Sequence, residues 1–146
     1  MKNIYFLILV LSQFTFSQDS TKFNPHYGIL TLNITGFENN EGSVKVALSN
    51  SKDDYTTKGK AFRVAIVLIN EKEAQYIFEG LSYGIYAIKT FHDENNNGEL
   101  DTNFLGIPSE NYGFSNNAKG SFGPASWEDA QFKFDKDSMT TEINID

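Results

Sequence analysis

From Leu30 onward the chain alternates. Leu30, Leu32 and Ile34 are separated by Thr31 and Asn33, and Val44, Val46 and Leu48 by Lys45 and Ala47. A period of two puts every second side chain on one face of a pleated strand, so each run predicts a strand with one buried face. Ala74, Tyr76 and Phe78 repeat the pattern, and Ile85 to Phe91 is rich in Tyr, Ile, Thr and Phe, which suit a strand. Ala130–Phe134 and Thr140–Ile145 close the series. Phe62 to Ile69 is nearly continuous apolar instead, which predicts a central strand covered on both faces. No long helical stripe interrupts these runs, although a short helical turn fits the polar loop from Asn50 to Lys60.

Turn-forming residues lie between the runs. Gly36 to Gly42 and Asp135 to Ser138 have turn chemistry, Gly80 to Gly84 is a tight corner, and residues 93–126 are rich in Asn, Gly, Asp and Ser. Seven short strands separated in this way predict an all-β fold. The expected form is a single antiparallel β-sandwich, immunoglobulin-like or transthyretin-like, with a long loop region after the fifth strand. A closed barrel is the alternative.

The first residues depart from this pattern. Lys2 precedes an apolar run from Ile4 to Leu11, and Thr15 and Ser17 stand where a signal peptidase needs small residues. That layout predicts a signal peptide over residues 1–17, a flexible leader over 18–27 and one domain over 28–146. The apolar run falls short of the ~20 residues a membrane span requires. The expected location is therefore outside the inner membrane, periplasmic or extracellular, with no membrane span.

Composition narrows the partners. The full chain carries a net charge of −7, and losing Lys2 with the signal peptide takes it to −8. Such a domain repels nucleic acid and anionic lipid. With no cysteine there is no disulfide and no thiol to lipidate, so the core, helped by any bound ion, must supply the stability.

Chemistry concentrates in His92-Asp93-Glu94-Asn95-Asn96-Asn97-Gly98-Glu99-Leu100-Asp101. Asp93, Asn95 and Asn97 alternate, so a looped backbone can turn their oxygens to one point. Gly98 permits the sharp turn, Glu99 can offer its carbonyl, and Asp101 can close the shell. This matches the opening of a calcium loop, and hard oxygen donors without His or Cys favour Ca²⁺. The expected ligands are Asp93, Asn95, Asn97, Glu99 and Asp101, with the more distant Glu110 as a further donor. The loop is no EF-hand, because Phe104 occupies the twelfth position, where a bidentate Glu belongs, and a strand rather than a helix leads in. The plain alternative is a solvated hairpin turning at Asn97-Gly98.

Gly80-Leu81-Ser82-Tyr83-Gly84 spells the nucleophile-elbow pattern, but a strand follows it and no acid and later His complete a triad. The structural reading is a corner between strands, with Tyr86 bonding back across it. No catalytic residue is assigned, and the expectation is a non-catalytic binding or accessory module for a protein or carbohydrate ligand. The competing reading is a hydrolase of an envelope or extracellular polymer using carboxylates near residues 93–110. Tyr112, Phe114, Phe122 and Trp127 lie in a glycine-rich stretch, expected to fold back as a satellite core and otherwise to form a binding surface.

The stretch from Phe78 through Gly80-Leu81-Ser82-Tyr83-Gly84-Ile85-Tyr86 to Ile88, the acidic loop, Gly106 to Ser115, and Phe122-Gly123-Pro124 together resemble domain-of-unknown-function 2141. That resemblance spans about Leu30 to Ile145 and implies a small exported bacterial protein with no assigned activity. The Gly-Leu-x-x-Gly-x-Tyr corner is also similar to transthyretin-like and carboxypeptidase-regulatory-like sandwiches, which implies fold rather than function.

Overall fold

The computed structural model describes residues 26–146. The expected signal peptide and all but the last two residues of the expected leader lie outside them. Eight strands follow in order: β1 Tyr27–Thr35, β2 Ser43–Ser49, β3 Arg63–Val67, β4 Ala74–Ser82, β5 Gly84–Asp93, β6 Tyr112–Phe114, β7 Phe132–Phe134 and β8 Ser138–Asn144. They form two sheets. One has the order β4-β1-β8; the other runs β3-β2-β5-β6, with β7 beside the first residues of β5.

The alternation read from the sequence becomes the core. Leu30, Leu32 and Ile34 from β1 meet Val44, Val46 and Leu48 from β2, with Phe78, Leu81, Ile88, Phe134 and Ile143 filling between. All are almost fully buried, and each such side chain contributes roughly 1.5–3 kcal/mol. Two short helices sit outside the second sheet, α1 Lys52–Thr56 and α2 Trp127–Ala130. Ser51 and Ser126 cap them, each hydroxyl accepting from the backbone three residues on.

Three features differ from expectation. β8 pairs with β1 in parallel, so the first sheet is mixed. β6 is an additional strand, three residues long and too short for periodicity to mark. The apolar run at residues 62–69 is an edge strand and not a central one. Ala65 and Val67 turn into the core, but Val64, Ile66 and Leu68 stay exposed on the outer face. Continuous apolar character cannot separate a doubly covered strand from an edge with one bare face.

β4 and β5 belong to different sheets, and the chain crosses between them at Tyr83. The Tyr86 hydroxyl donates to the Ser82 carbonyl at 2.8 Å and lies 3.1 Å from the Ser82 hydroxyl. Gly80 adopts φ +59°, a conformation glycine takes without steric cost. The expected tyrosine corner is thus in place, and the elbow geometry of a strand-to-helix nucleophile is not formed. Tyr86→Phe keeps the buried ring but orphans the Ser82 carbonyl, so it is expected to cost about 1–2 kcal/mol in urea unfolding.

Candidate functional site

β5 ends at Asp93, whose carboxylate is fully buried. Its two oxygens accept from the backbone N–H groups of Asn97 and Gly98, each at 2.9 Å, and bend the chain back over the strand end. Asn96 and Gly98 both adopt positive φ, which Asn and Gly tolerate best. Lys45, from neighbouring β2, brings its ammonium to 3.4 Å from Asp93. Two amide donors and a cation offset the cost of burying this charge.

Above this base the remaining polar groups face one another. Asp101 accepts from the Asn95 side-chain amide at 2.7 Å and from that of Asn97 at 3.0 Å. The Asn95 Oδ1 accepts from Asn97 N at 2.9 Å, and the Asn97 Oδ1 from Glu99 N at 2.8 Å. Asn95, Asn97 and Asp101 are therefore gathered by mutual bonds, and Asp93 joins them through the Asn97 amide. Glu99 contributes only backbone, and its exposed carboxylate makes no hydrogen bond or ion pair among the described residues. No group of three or more His, Cys, Asp or Glu is placed to hold a metal among the described residues, so any cation here would depend on amide and carbonyl oxygens.

Glu110 is the residue whose role the spacing could not reveal. It is 93 % buried, being only 7 % exposed, and it bridges both ends of the loop. One oxygen accepts from Glu94 N at 3.0 Å and the other from Asp101 N at 2.9 Å. Sequence reading offered Glu110 as a distant further ligand. Both of its oxygens instead hold backbone, because the segment after Asp101 doubles back, with Thr102 bridging to Pro108. A carboxylate nine residues from its partner leaves no local pattern.

The other wall comes from the β1–β2 turn. The buried His92 places Nε2 2.7 Å from the Glu41 carbonyl and Nδ1 3.6 Å from Glu94. The Ser43 hydroxyl donates to Asn96 at 2.8 Å. Gly42 passes so close that a Cβ would lie 2.0 Å from the Asp93 carbonyl, and its φ is +66°. Glycine is required there.

The aromatic stretch divides. Phe114 is buried with Tyr55, Ala87, Ala125 and Ala130 in a second core on the outer face of β5, and Tyr112 and Trp127 pack half-buried against it. The Tyr55 hydroxyl donates to the Ala125 carbonyl at 3.0 Å. Burial, reinforced by Asp129, pushes this hydroxyl up to about 12. Lys89 lies over the Tyr55 ring at 4.2 Å, and burial pushes its ammonium down. Phe122, in contrast, is fully exposed and faces Ile107 and Pro108 across a shallow groove of about 670 Å³. The satellite core holds for three of the four aromatics.

A family model described as "Uncharacterized protein conserved in bacteria (DUF2141)" matches residues 32–142, and the chain belongs to that family. No curated protein and no solved structure matches it.

Two outcomes are expected. Glu110→Gln replaces one of the two acceptor oxygens with an amide donor facing an N–H group, so stability should fall by about 2–3 kcal/mol and at least one of the Glu94 and Asp101 amides should exchange faster. Between pH 10 and about pH 12 the unfolded chain ionises Tyr55 while the folded chain keeps its proton, so stability should drop across that window. Urea midpoints of Tyr55→Phe, measured over the same pH range, should show a smaller drop than wild type.

Proposed function

We propose that this member of the DUF2141 family is an exported, non-catalytic binding or accessory module whose loop at residues 93–101 takes Ca²⁺. The observation that supports it is the convergence of Asn95, Asn97 and Asp101 on a backbone pinned by Asp93 and Glu110. The two amide N–H groups offer Asp101 the partial positive charge that a cation would offer in full. A half-turn of each amide would present oxygen to the same point, at the cost of the Asn97 N–Asn95 Oδ1 and Glu99 N–Asn97 Oδ1 bonds. Asp93 Oδ1 keeps a second lone pair, whereas Oδ2 is shared between Gly98 N and Lys45, and the Glu99 carbonyl lies on the same loop. Carboxylate, amide and carbonyl oxygens suit a hard cation of flexible coordination. Without the twelfth-position Glu the site would be weak, of the order of the roughly 10⁻⁴–10⁻³ M found for extracellular modules. Export to a calcium-replete compartment fits that affinity.

The hydrolase reading needs two acids facing across a groove. Asp93 and Glu110 instead accept from backbone, Asp101 from amides, and Glu94 from Asn39 at 3.2 Å. That engagement is why binding is preferred. The ligand of the module as a whole is a protein or a carbohydrate, and the groove beside Phe122, lined also by Ile107, Pro108, Tyr112 and Phe114, offers it apolar and aromatic surface.

Calcium at tenfold over its Kd should stabilise the fold by about 1.4 kcal/mol. A thermal melt with millimolar CaCl₂ should shift upward, EDTA should reverse the shift, and equimolar MgCl₂ should not reproduce it. Asp101→Ala should remove the response while leaving a folded domain. An unchanged wild-type melt at 10 mM calcium, an arbitrary ceiling of about ten times the weakest expected Kd, overturns the calcium reading.

A further inference from the structure

A sheet edge exposes unpaired backbone N–H and C=O groups, and soluble proteins guard it with charge, shortness or cover. The edges of this domain are guarded in all but one case. β4 presents Gln75 and Glu79 along its outer row, and the Arg63 guanidinium covers its end by donating to the Glu79 carbonyl at 2.8 Å and the Gly80 carbonyl at 3.3 Å. β8 presents Ser138, Thr140, Glu142 and Asn144. β6 and β7 are three residues long.

β3 has no such guard. Among the described residues it pairs only with β2. Phe62, Val64, Ile66 and Leu68 are 41 %, 73 %, 66 % and 80 % exposed, and no charged side chain interrupts the row. Their combined exposed surface is roughly 450 Å², the size of the largest apolar patch on a typical monomer, which is often functional.

We propose that β3 is the contact through which two copies of this chain associate, edge to edge and antiparallel. Charge favours a second copy as the occupant. The segment leading into β3 carries Lys58, and β3 itself begins with Arg63; the turn after it carries Glu71, Lys72 and Glu73 and is net negative. None of these five has an ion-pair partner among the described residues. Antiparallel pairing brings the basic end of one strand beside the acidic end of the other. With the two-fold axis at Ala65, Val64 meets Ile66 of the second copy and Phe62 meets its Leu68, so apolar groups lie opposite apolar groups and no like charges face across the row. The two second sheets then run on as one. Edge pairing brings the flanks of the two apolar rows together and leaves their outer face in solvent, so the contact falls below the ~800 Å² per partner of a standard interface, in the small, weak class.

Analytical ultracentrifugation of the chain from micromolar to 0.3 mM, a range chosen to bracket about micromolar affinity, should show a monomer–dimer equilibrium. Ile66→Lys and, separately, Val64→Lys should raise the dissociation constant roughly tenfold or more by setting like charges against each other, with melting temperature unchanged because both sites are exposed. Ile77→Lys, on the guarded β4 edge, should leave the mass unaltered. Amides of residues 63–69 should exchange more slowly at high concentration. A chain that stays monomeric throughout overturns the proposal and leaves the strip to a different protein. A dimer that survives both lysine variants, or whose β3 amides exchange at a concentration-independent rate, also overturns it and places the contact elsewhere.

Discussion

The domain is organised by β5, a ten-residue strand covered on both faces and ended by a buried carboxylate. Its inward side chains Tyr86 and Ile88 complete the sandwich core, while Ala87 on the opposite face is sealed by Tyr55, Phe114 and Ala130. A strand buried on both sides has no solvated face to absorb error, so both of its ends must be fixed. The Tyr86 hydroxyl fixes the start by bonding back to Ser82, and Asp93 fixes the finish by gathering the amides of Asn97 and Gly98.

From that second anchor the candidate site follows. A buried carboxylate demands donors, and the nearest uncommitted ones are the backbone N–H groups of its own following turn. Meeting that demand forces Asn96 and Gly98 into positive φ, brings Asn95 and Asn97 over the strand end, and places Asp101 against them. Glu110 repeats the solution one layer out, one oxygen for each end of the loop. Each acid in this crowded segment except Glu99, which stays in solvent, thus has its own donors, which separates like charges that would otherwise repel. The same carboxylates that shape the loop are the groups a cation would meet, so fold and proposed function draw on one set of contacts.

The second sheet is finished unevenly. Beyond β5, α1, α2 and the residues around Phe114 close its outer face, but that cover stops short of β3. The exposed row on β3 and the exposed Phe104, Leu105, Ile107 and Phe122 are where this small acidic domain leaves much of its apolar surface in water, and contact with other molecules is proposed to begin there.

Local pattern alone determined much of this protein. Alternation at Leu30–Ile34 and Val44–Leu48 named the inward faces, because a period of two maps directly onto a pleat. Glycines around Ser82 with Tyr86 beyond marked the corner, and Asp93, Asn95, Asn97 and Asp101 marked the loop by spacing. The tertiary structure decided what spacing cannot encode. It set β3 at an edge, since apolar character is the same whether one face or two are covered. It paired β8 with β1 in parallel, a long-range choice of neighbour that no local run contains. It gave Glu110 its place across the loop ends, because that contact depends on how residues 102–110 double back. Periodicity records which side of a strand is dry; only packing determines which strands are neighbours and which distant carboxylate closes a loop.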